Sequence, residues 1–145
     1  ILYKYKYKYK INKISMGNTQ SINKTNFEDI QQLLSTKPGQ YLLINTLTID
    51  EQYCLIPTTL PYDKEETVIN EHIKKYNKDI KIIIYGKNCN DETTIQKYKQ
   101  LYLLGFYNIY IYIGGLFEWL LLQDIYGSSE FPTTSKQLDL LKYKS

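Results

Sequence analysis

Apolar and polar positions follow one another along the chain in blocks of changing period. Phe27, Ile30, Leu33 and Leu34 fall at i, i+3, i+6 and i+7, the stripe of an amphipathic helix that Thr25 or Asn26 can cap and Pro38-Gly39 ends. Tyr41 to Ile44 is a short apolar run suited to a strand buried on both faces. Beyond a loop with Pro57 and Pro61, the residues Val68, Ile69, Ile73 and Tyr76 mark a second helix. Ile80 to Tyr85, with Ile82, Ile83 and Ile84 consecutive, is the strongest strand and is expected at the centre of a parallel sheet. The loop Gly86-Lys87-Asn88-Cys89-Asn90 leads into a third helix, Asp91 to Leu104, with Ile95, Tyr98, Leu101 and Tyr102 on its apolar face and Gly105 as its stop. Tyr107 to Ile113 gives another strand, and Gly114-Gly115 precedes a strongly apolar helix, Leu116 to Ile125. Strands alternating with helices predict an α/β domain, a parallel sheet covered by helices on both faces.

The 145 residues suit one domain, and a composition 43% hydrophobic and 23% charged is globular. No apolar run approaches the ~18 to 20 residues of a spanning helix. Charge is unevenly placed: the net +3 arises because residues 1 to 15 carry five Lys and no acid, whereas the rest is slightly acidic. All 18 basic residues are Lys, so the bidentate guanidinium grip on phosphate, sulfate or carboxylate is absent. With 16 Tyr, 19 Ile and neither Arg nor Ala, codon bias points to an AT-rich genome such as that of a protist or a large DNA virus. Two cysteines, Cys54 and Cys89, are too few for a disulfide framework, and a reducing, cytoplasmic setting is expected. With a single His72 and no zinc spacing, neither a metal nor a cofactor is expected.

Within the first 15 residues, positions 3 to 10 alternate Tyr and Lys, a low-complexity segment that makes nucleic-acid binding an unlikely reading. Met16 is the only methionine. If translation starts there, Met16 to Ser21 fits the M-G-x-x-x-[ST] pattern for N-myristoylation at Gly17, which would tie the protein to a membrane. One acyl chain binds membranes only marginally, so a second signal would be required. Residues 1–25 are accordingly read as a basic tail and flexible lead-in, 26–127 as the domain, and 128–145 as an extension packing on it.

From about Asn26 to Gly127, and most strongly from Ile82 to Trp119, the chain resembles the rhodanese-like domains. IIIYGKNCNDETTIQKYKQLYLLGF followed by NIYIYIGGLFEW is similar to the family's strand, active-site loop, helix, Gly-Phe, strand and Gly-Gly-x-x-x-Trp closure. Gly105-Phe106, Gly114-Gly115 and Trp119 carry the match. The resemblance implies a five-stranded parallel sheet with helices on both faces. It also implies a sulfurtransferase loop whose leading Cys is the nucleophile and whose inward N–H groups cradle an anion.

Here the catalytic marks depart from that pattern. Gly86 stands in the nucleophile's place and the loop Arg falls on Asp91. The usual Asp-x-Arg reads Asn45-Thr46-Leu47, and Gly-His-Ile-Pro reads Cys54-Leu55-Ile56-Pro57. Asp91 and Glu92 put negative charge where a persulfide or oxyanion would bind, against Lys87 as the loop's one cation. The expectation is a non-catalytic binding or structural module with a protein partner, whose active-site-loop equivalents are Gly86, Lys87, Asn88, Cys89, Asn90, Asp91 and Glu92. The alternative is a sulfurtransferase or thiol-redox enzyme using Cys89. Cys54 and Trp119 are expected in the core, and His72 as a solvated residue. If the gene is viral, a virion component is a further expectation.

Overall fold

The computed structural model describes residues 21–145; the Tyr/Lys tail, Met16 and the acylation candidate Gly17 lie outside the described residues. Four parallel strands, β1 (Lys24–Thr25), β2 (Tyr41–Asn45), β3 (Lys81–Tyr85) and β4 (Ile109–Tyr112), pair in the order β1-β4-β3-β2. Four α-helices connect and cover them: α1 (Phe27–Leu34), α2 (Glu65–Lys74), α3 (Thr93–Leu103) and α4 (Gly115–Tyr126). Short 3-10 turns occupy Ile49–Glu51 and Leu140–Tyr143.

The strands are short enough to see why both faces fill. Ile82, Ile83 and Ile84 are all fully buried, and their neighbours in register are Leu42, Leu43 and Ile44 on one side and Ile109, Tyr110 and Ile111 on the other. Successive side chains point to opposite faces. Leu42, Ile44, Ile82, Ile84, Ile109 and Ile111 therefore pack with Ile69 of α2 and Tyr98 and Leu101 of α3. Tyr41, Leu43, Ile83, Tyr85 and Tyr112 pack on the other face with Ile30 of α1 and Trp119 of α4.

Two expectations are corrected. Among the described residues the sheet has four strands rather than five. What would be the fifth is a single parallel bridge between Leu43 and Thr59, backed by the Leu60 N–H on the Leu43 carbonyl at 2.8 Å. Pro57 and Pro61 bracket this segment and remove donors, and Thr58 adopts a left-handed φ of 67°, so no ladder can extend. Conversely, the polar lead-in contributes β1, too short to show a period. The Asn23 side chain donates to the Ile109 carbonyl (3.2 Å), and the Ile111 N–H donates to the Asn23 carbonyl (2.9 Å). Asn26 closes a capping box with Asp29 at the start of α1. Helix α3 begins at Thr93, so Asp91 and Glu92 stand just outside it.

Residues after α4 return to the core. Phe131 lies edge-on to Trp119 with centroids 5.0 Å apart, and the Trp119 indole N–H donates to the Pro132 carbonyl (2.9 Å). The Thr134 N–H reaches the Leu55 carbonyl (2.8 Å), and Tyr143 is fully buried on the α1/α4 face.

Candidate functional site

Strand β3 ends at Tyr85, whose buried phenol accepts the Ile56 N–H (3.2 Å) and lies 2.7 Å from the Thr59 hydroxyl. Burial pushes the Tyr85 phenol above its ordinary pKa range. The chain then turns through Gly86–Glu92 into α3, at the carboxyl edge of the sheet where open α/β folds place their sites.

The turn is held from behind by α4. Gly115 has φ 66°, and a Cβ there would meet the Gly86 carbonyl oxygen at 2.8 Å and the Asn88 nitrogen at 3.0 Å. Its bare backbone lets the Leu116 and Phe117 N–H groups donate to the carbonyls of Gly86 and Lys87, each at 2.9 Å. Gly115 thus fastens the loop to the start of α4.

In front, the loop is occupied by its own acid. Asp91 Oδ2 accepts the Lys87 N–H (2.9 Å), while Oδ1 accepts the Thr93 N–H (3.1 Å) and the Thr93 hydroxyl (2.6 Å). A carboxylate therefore sits on inward N–H groups at a helix start, the arrangement that elsewhere holds an external anion. A Cβ added to Gly86 would lie 2.5 Å from Asp91 Oδ2 and 2.7 Å from Thr94 Cγ2. The space that a side chain at position 86 would need is already filled.

The remaining loop residues are tied down as well. Asn88 Oδ1 accepts the Asn90 N–H (2.9 Å), and Asn88 Nδ2 donates to the Tyr143 carbonyl (2.9 Å). Lys87 is 3.3 Å from Glu51, a residue only 5% exposed. Burial opposes ionisation of Glu51, but the Thr48 hydroxyl and the Lys87 ammonium outweigh it and hold its carboxyl below the ordinary value. Asn45, in the family's Asp position, exchanges two hydrogen bonds with Gln52, at 3.0 and 2.7 Å, and orients the turn toward Glu51.

A cleft of about 440 Å³ opens between these groups, with Thr46, Glu51, Lys87, Asp91 and Thr93 among its walls. A second depression of about 450 Å³ lies on the other side of the loop, and there the exposed Cys89 joins Asp91, Glu92, Ile95 and Ile113. The loop candidates thus divide: Lys87 and Glu51 face one hollow, Cys89 and Glu92 the other, and Asp91 stands between.

Of the other singled-out residues, Cys54 is fully buried with its Sγ donating to the Ser135 carbonyl (3.3 Å), and burial raises its pKa. His72 is partly exposed, 3.1 Å from Asn77 Nδ2, and burial lowers its pKa. Among the described residues no group of three or more His, Cys, Asp and Glu side chains gathers as a metal site requires, and no helix is long and apolar enough to cross a membrane. Sequence reasoning missed Glu51 and the Asn88–Tyr143 contact. The acid sits in a 3-10 turn without periodicity, and the contact joins residues 55 positions apart.

The fold is thus a parallel α/β sheet covered by helices, with the loop Gly86–Glu92 at its carboxyl edge. The chain belongs to the rhodanese-like domain family, whose sequence model matches residues 24–122. Similar solved structures include the BH2092 protein from Bacillus halodurans (TM-score 0.55, 18% identity, covering 95% of this chain and 96% of that one). The Alr3790 protein from Anabaena sp. gives TM-score 0.54 at 18% identity, covering 81% and 86%. A single-domain sulfurtransferase, RDL2, from Saccharomyces cerevisiae gives 0.52 at 19%, covering 72% and 94%. No curated protein matches the chain.

Proposed function

We propose that this protein is a non-catalytic rhodanese-like binding or structural module. The observation that carries the reading is Asp91 filling the space above Gly86 and accepting the N–H groups of Lys87 and Thr93. A sulfurtransferase needs a thiolate there, and it needs those N–H groups for the sulfur or oxyanion it handles. An internal carboxylate supplies neither function and competes for the second. With the Lys87 and Thr93 N–H groups already engaged by Asp91, an external anion would have to displace a carboxylate that is covalently part of the loop.

The test is thiosulfate:cyanide sulfurtransferase activity of the full chain, with folding verified by circular dichroism. Thiocyanate production is expected at the level of a no-enzyme control. Turnover above it that Cys89→Ser abolishes would instead establish the second reading, an enzyme using Cys89, which the exposure of that thiol in its own depression favours.

The module is proposed to act through a protein partner in the cytoplasm. With translation from Met16, an acyl group on Gly17 would add membrane association, and a viral gene would make a virion component the natural setting. Intact mass of the natural protein tests the start and the acyl group together. A mass matching unmodified Gly17 or a chain from Ile1 removes the acylation proposal.

A further inference from the structure

The four strands run parallel, so their starts gather at one edge of the sheet, opposite the loop Gly86–Glu92. Charge divides along that axis. The connections at the carboxyl edge carry Asp50, Glu51, Asp63, Asp91 and Glu92 against Lys64 and Lys87, whereas those at the amino edge carry Lys37, Lys75 and Lys78 against Asp79. Lys74, the last residue of α2, adds to the basic side. Among the described residues no ion pair engages Lys74, Lys75 or Lys78.

Tyrosines stand among these lysines. Tyr76 closes α2 in a Schellman turn, its N–H on the Ile73 carbonyl (3.2 Å) and the Asn77 N–H on the His72 carbonyl (2.9 Å). Such a turn needs a left-handed residue, usually glycine, yet a tyrosine at φ 55° fills it and holds its ring 88% exposed. Tyr102 and Tyr107 flank Gly105 and are both exposed, and the Lys78 ammonium reaches this bend, 2.9 Å from where a Cβ on Gly105 would stand. The chain enters at the same edge. The Asn23 N–H donates to the Tyr98 hydroxyl (3.3 Å), one turn before Tyr102, and Ile22 packs against the α2/α3 side of the core. Gly17 is four residues before Ser21, a reach of about 14 Å at most.

We infer that this amino-edge surface, centred on Lys74, Lys75, Tyr76 and Lys78, is a docking face for an anionic lipid bilayer. Clustered lysines meet the negative surface potential of such a bilayer, and tyrosine rings suit the boundary between headgroups and acyl chains. So exposed a ring as that of Tyr76 stands clear of any groove of the kind that tracks a nucleic-acid strand, and fits a broad surface instead. The acidic loop edge then faces away from the bilayer. This inference extends the acylation reading. One acyl chain binds only marginally, and Lys24 is the one lysine close after Gly17 in sequence, but the fold brings a basic cluster to the edge where that segment enters.

The experiment uses the unacylated full chain, so that its outcome stands apart from whether Gly17 is modified. Sedimentation with vesicles of phosphatidylcholine alone, or mixed with phosphatidylserine at about two to one, measures binding. The chain is expected to bind the mixed vesicles and not phosphatidylcholine alone. Lys74→Gln with Lys75→Gln is expected to weaken binding about 20-fold, roughly fivefold per lysine. Lys64→Gln with Lys136→Gln removes the same charge elsewhere and is expected to weaken it less than about twofold. Tyr76→Gly suits the left-handed turn, so it should weaken binding with little loss of thermal stability. Equal losses in the two double variants, equal binding to both vesicles, or binding unaltered by Tyr76→Gly overturns the proposal. A single-stranded oligonucleotide bound more tightly than the mixed vesicles, through the same lysines, would also overturn it and assign the surface to nucleic acid.

Discussion

The two faces of one sheet are built on different terms. The face under α2 and α3 is aliphatic, with Leu42, Ile44, Ile69, Ile82, Ile84, Ile109 and Ile111 closing on one another and Tyr98 as its one phenol, all inside the stretch that the family shares. The face under α1 and α4 is aromatic and incomplete without later residues. Tyr85, Tyr112 and Trp119 are sealed there by Phe131 and Tyr143, which lie beyond the shared stretch. The loop Gly86–Glu92 is tied to this second face, by Gly115 from behind and by Tyr143 from the side. The site therefore leans on residues that lie beyond the stretch matched by the family model.

The strongest attempt to break the comparison removes the seal. Tyr143→Ala and Phe131→Ala are each expected to cost about 3–5 kcal/mol, as much as a deletion in the shared core such as Ile69→Ala, at about 2–5 kcal/mol. Urea unfolding measures all three. Losses below about 1 kcal/mol at Tyr143 and Phe131 would show that the extension merely rests on the domain.

The next effect tests the loop at the junction. Gly86→Cys places a thiol at the head of the loop but forces Asp91 and Thr94 aside, and is expected to cost about 1–3 kcal/mol by overpacking. Pairing it with Asp91→Gly should recover part of that loss, leaving a coupling energy of at least about 0.5 kcal/mol in a double-mutant cycle. Strictly additive losses would mean that the carboxylate is not what fills the space.

Alkali separates the faces by titration. Burial raises the phenol pKa of Tyr85, Tyr112 and Tyr143 in the folded protein, with Glu118 adding to the effect at Tyr112, and all three lie on the aromatic face. A group raised above its unfolded value gives stability that is full below the unfolded pKa, about 10 for a phenol. That stability is lost as pH rises from there toward the folded value. Unfolding free energy measured from pH 9 to 11 should decline, and Tyr143→Phe should make the decline shallower. An unaltered slope would refute the burial of that phenol.

The smallest difference concerns hydroxyls at neutral pH. Tyr98→Phe on the aliphatic face deprives the Asn23 N–H of its acceptor at 3.3 Å and is expected to cost about 1 kcal/mol. Tyr143→Phe removes a buried hydroxyl that has no hydrogen-bond partner, so its cost should be near zero or slightly negative. Equal costs at the two positions would erase the distinction.

Much of this was legible along the chain because it is periodic or local. Apolar runs long enough to cross a sheet gave β2, β3 and β4, the stripe at Phe27, Ile30 and Leu33 gave α1, and Gly105, at φ 102°, stops α3 as its position suggested. The two-residue β1, the loss of a fifth strand to Pro57 and Pro61, and the part played by Glu51 could not be read there, since none has a repeating pattern.

The sequence by itself thus determined an α/β chain with the family's scaffold residues and no cysteine at the head of its loop, because side-chain period and residue identity are properties of neighbours along the backbone. Only the tertiary structure decided that Asp91 turns inward onto the Lys87 and Thr93 N–H groups and that Asn88 is held by a residue 55 positions later. Negative charge near a helix start can point to solvent or into a cradle with equal ease as far as spacing goes. Which it does depends on space, and that space exists because Gly86 lacks the Cβ that would have filled it, while Gly115 lets α4 close on the loop backbone from behind.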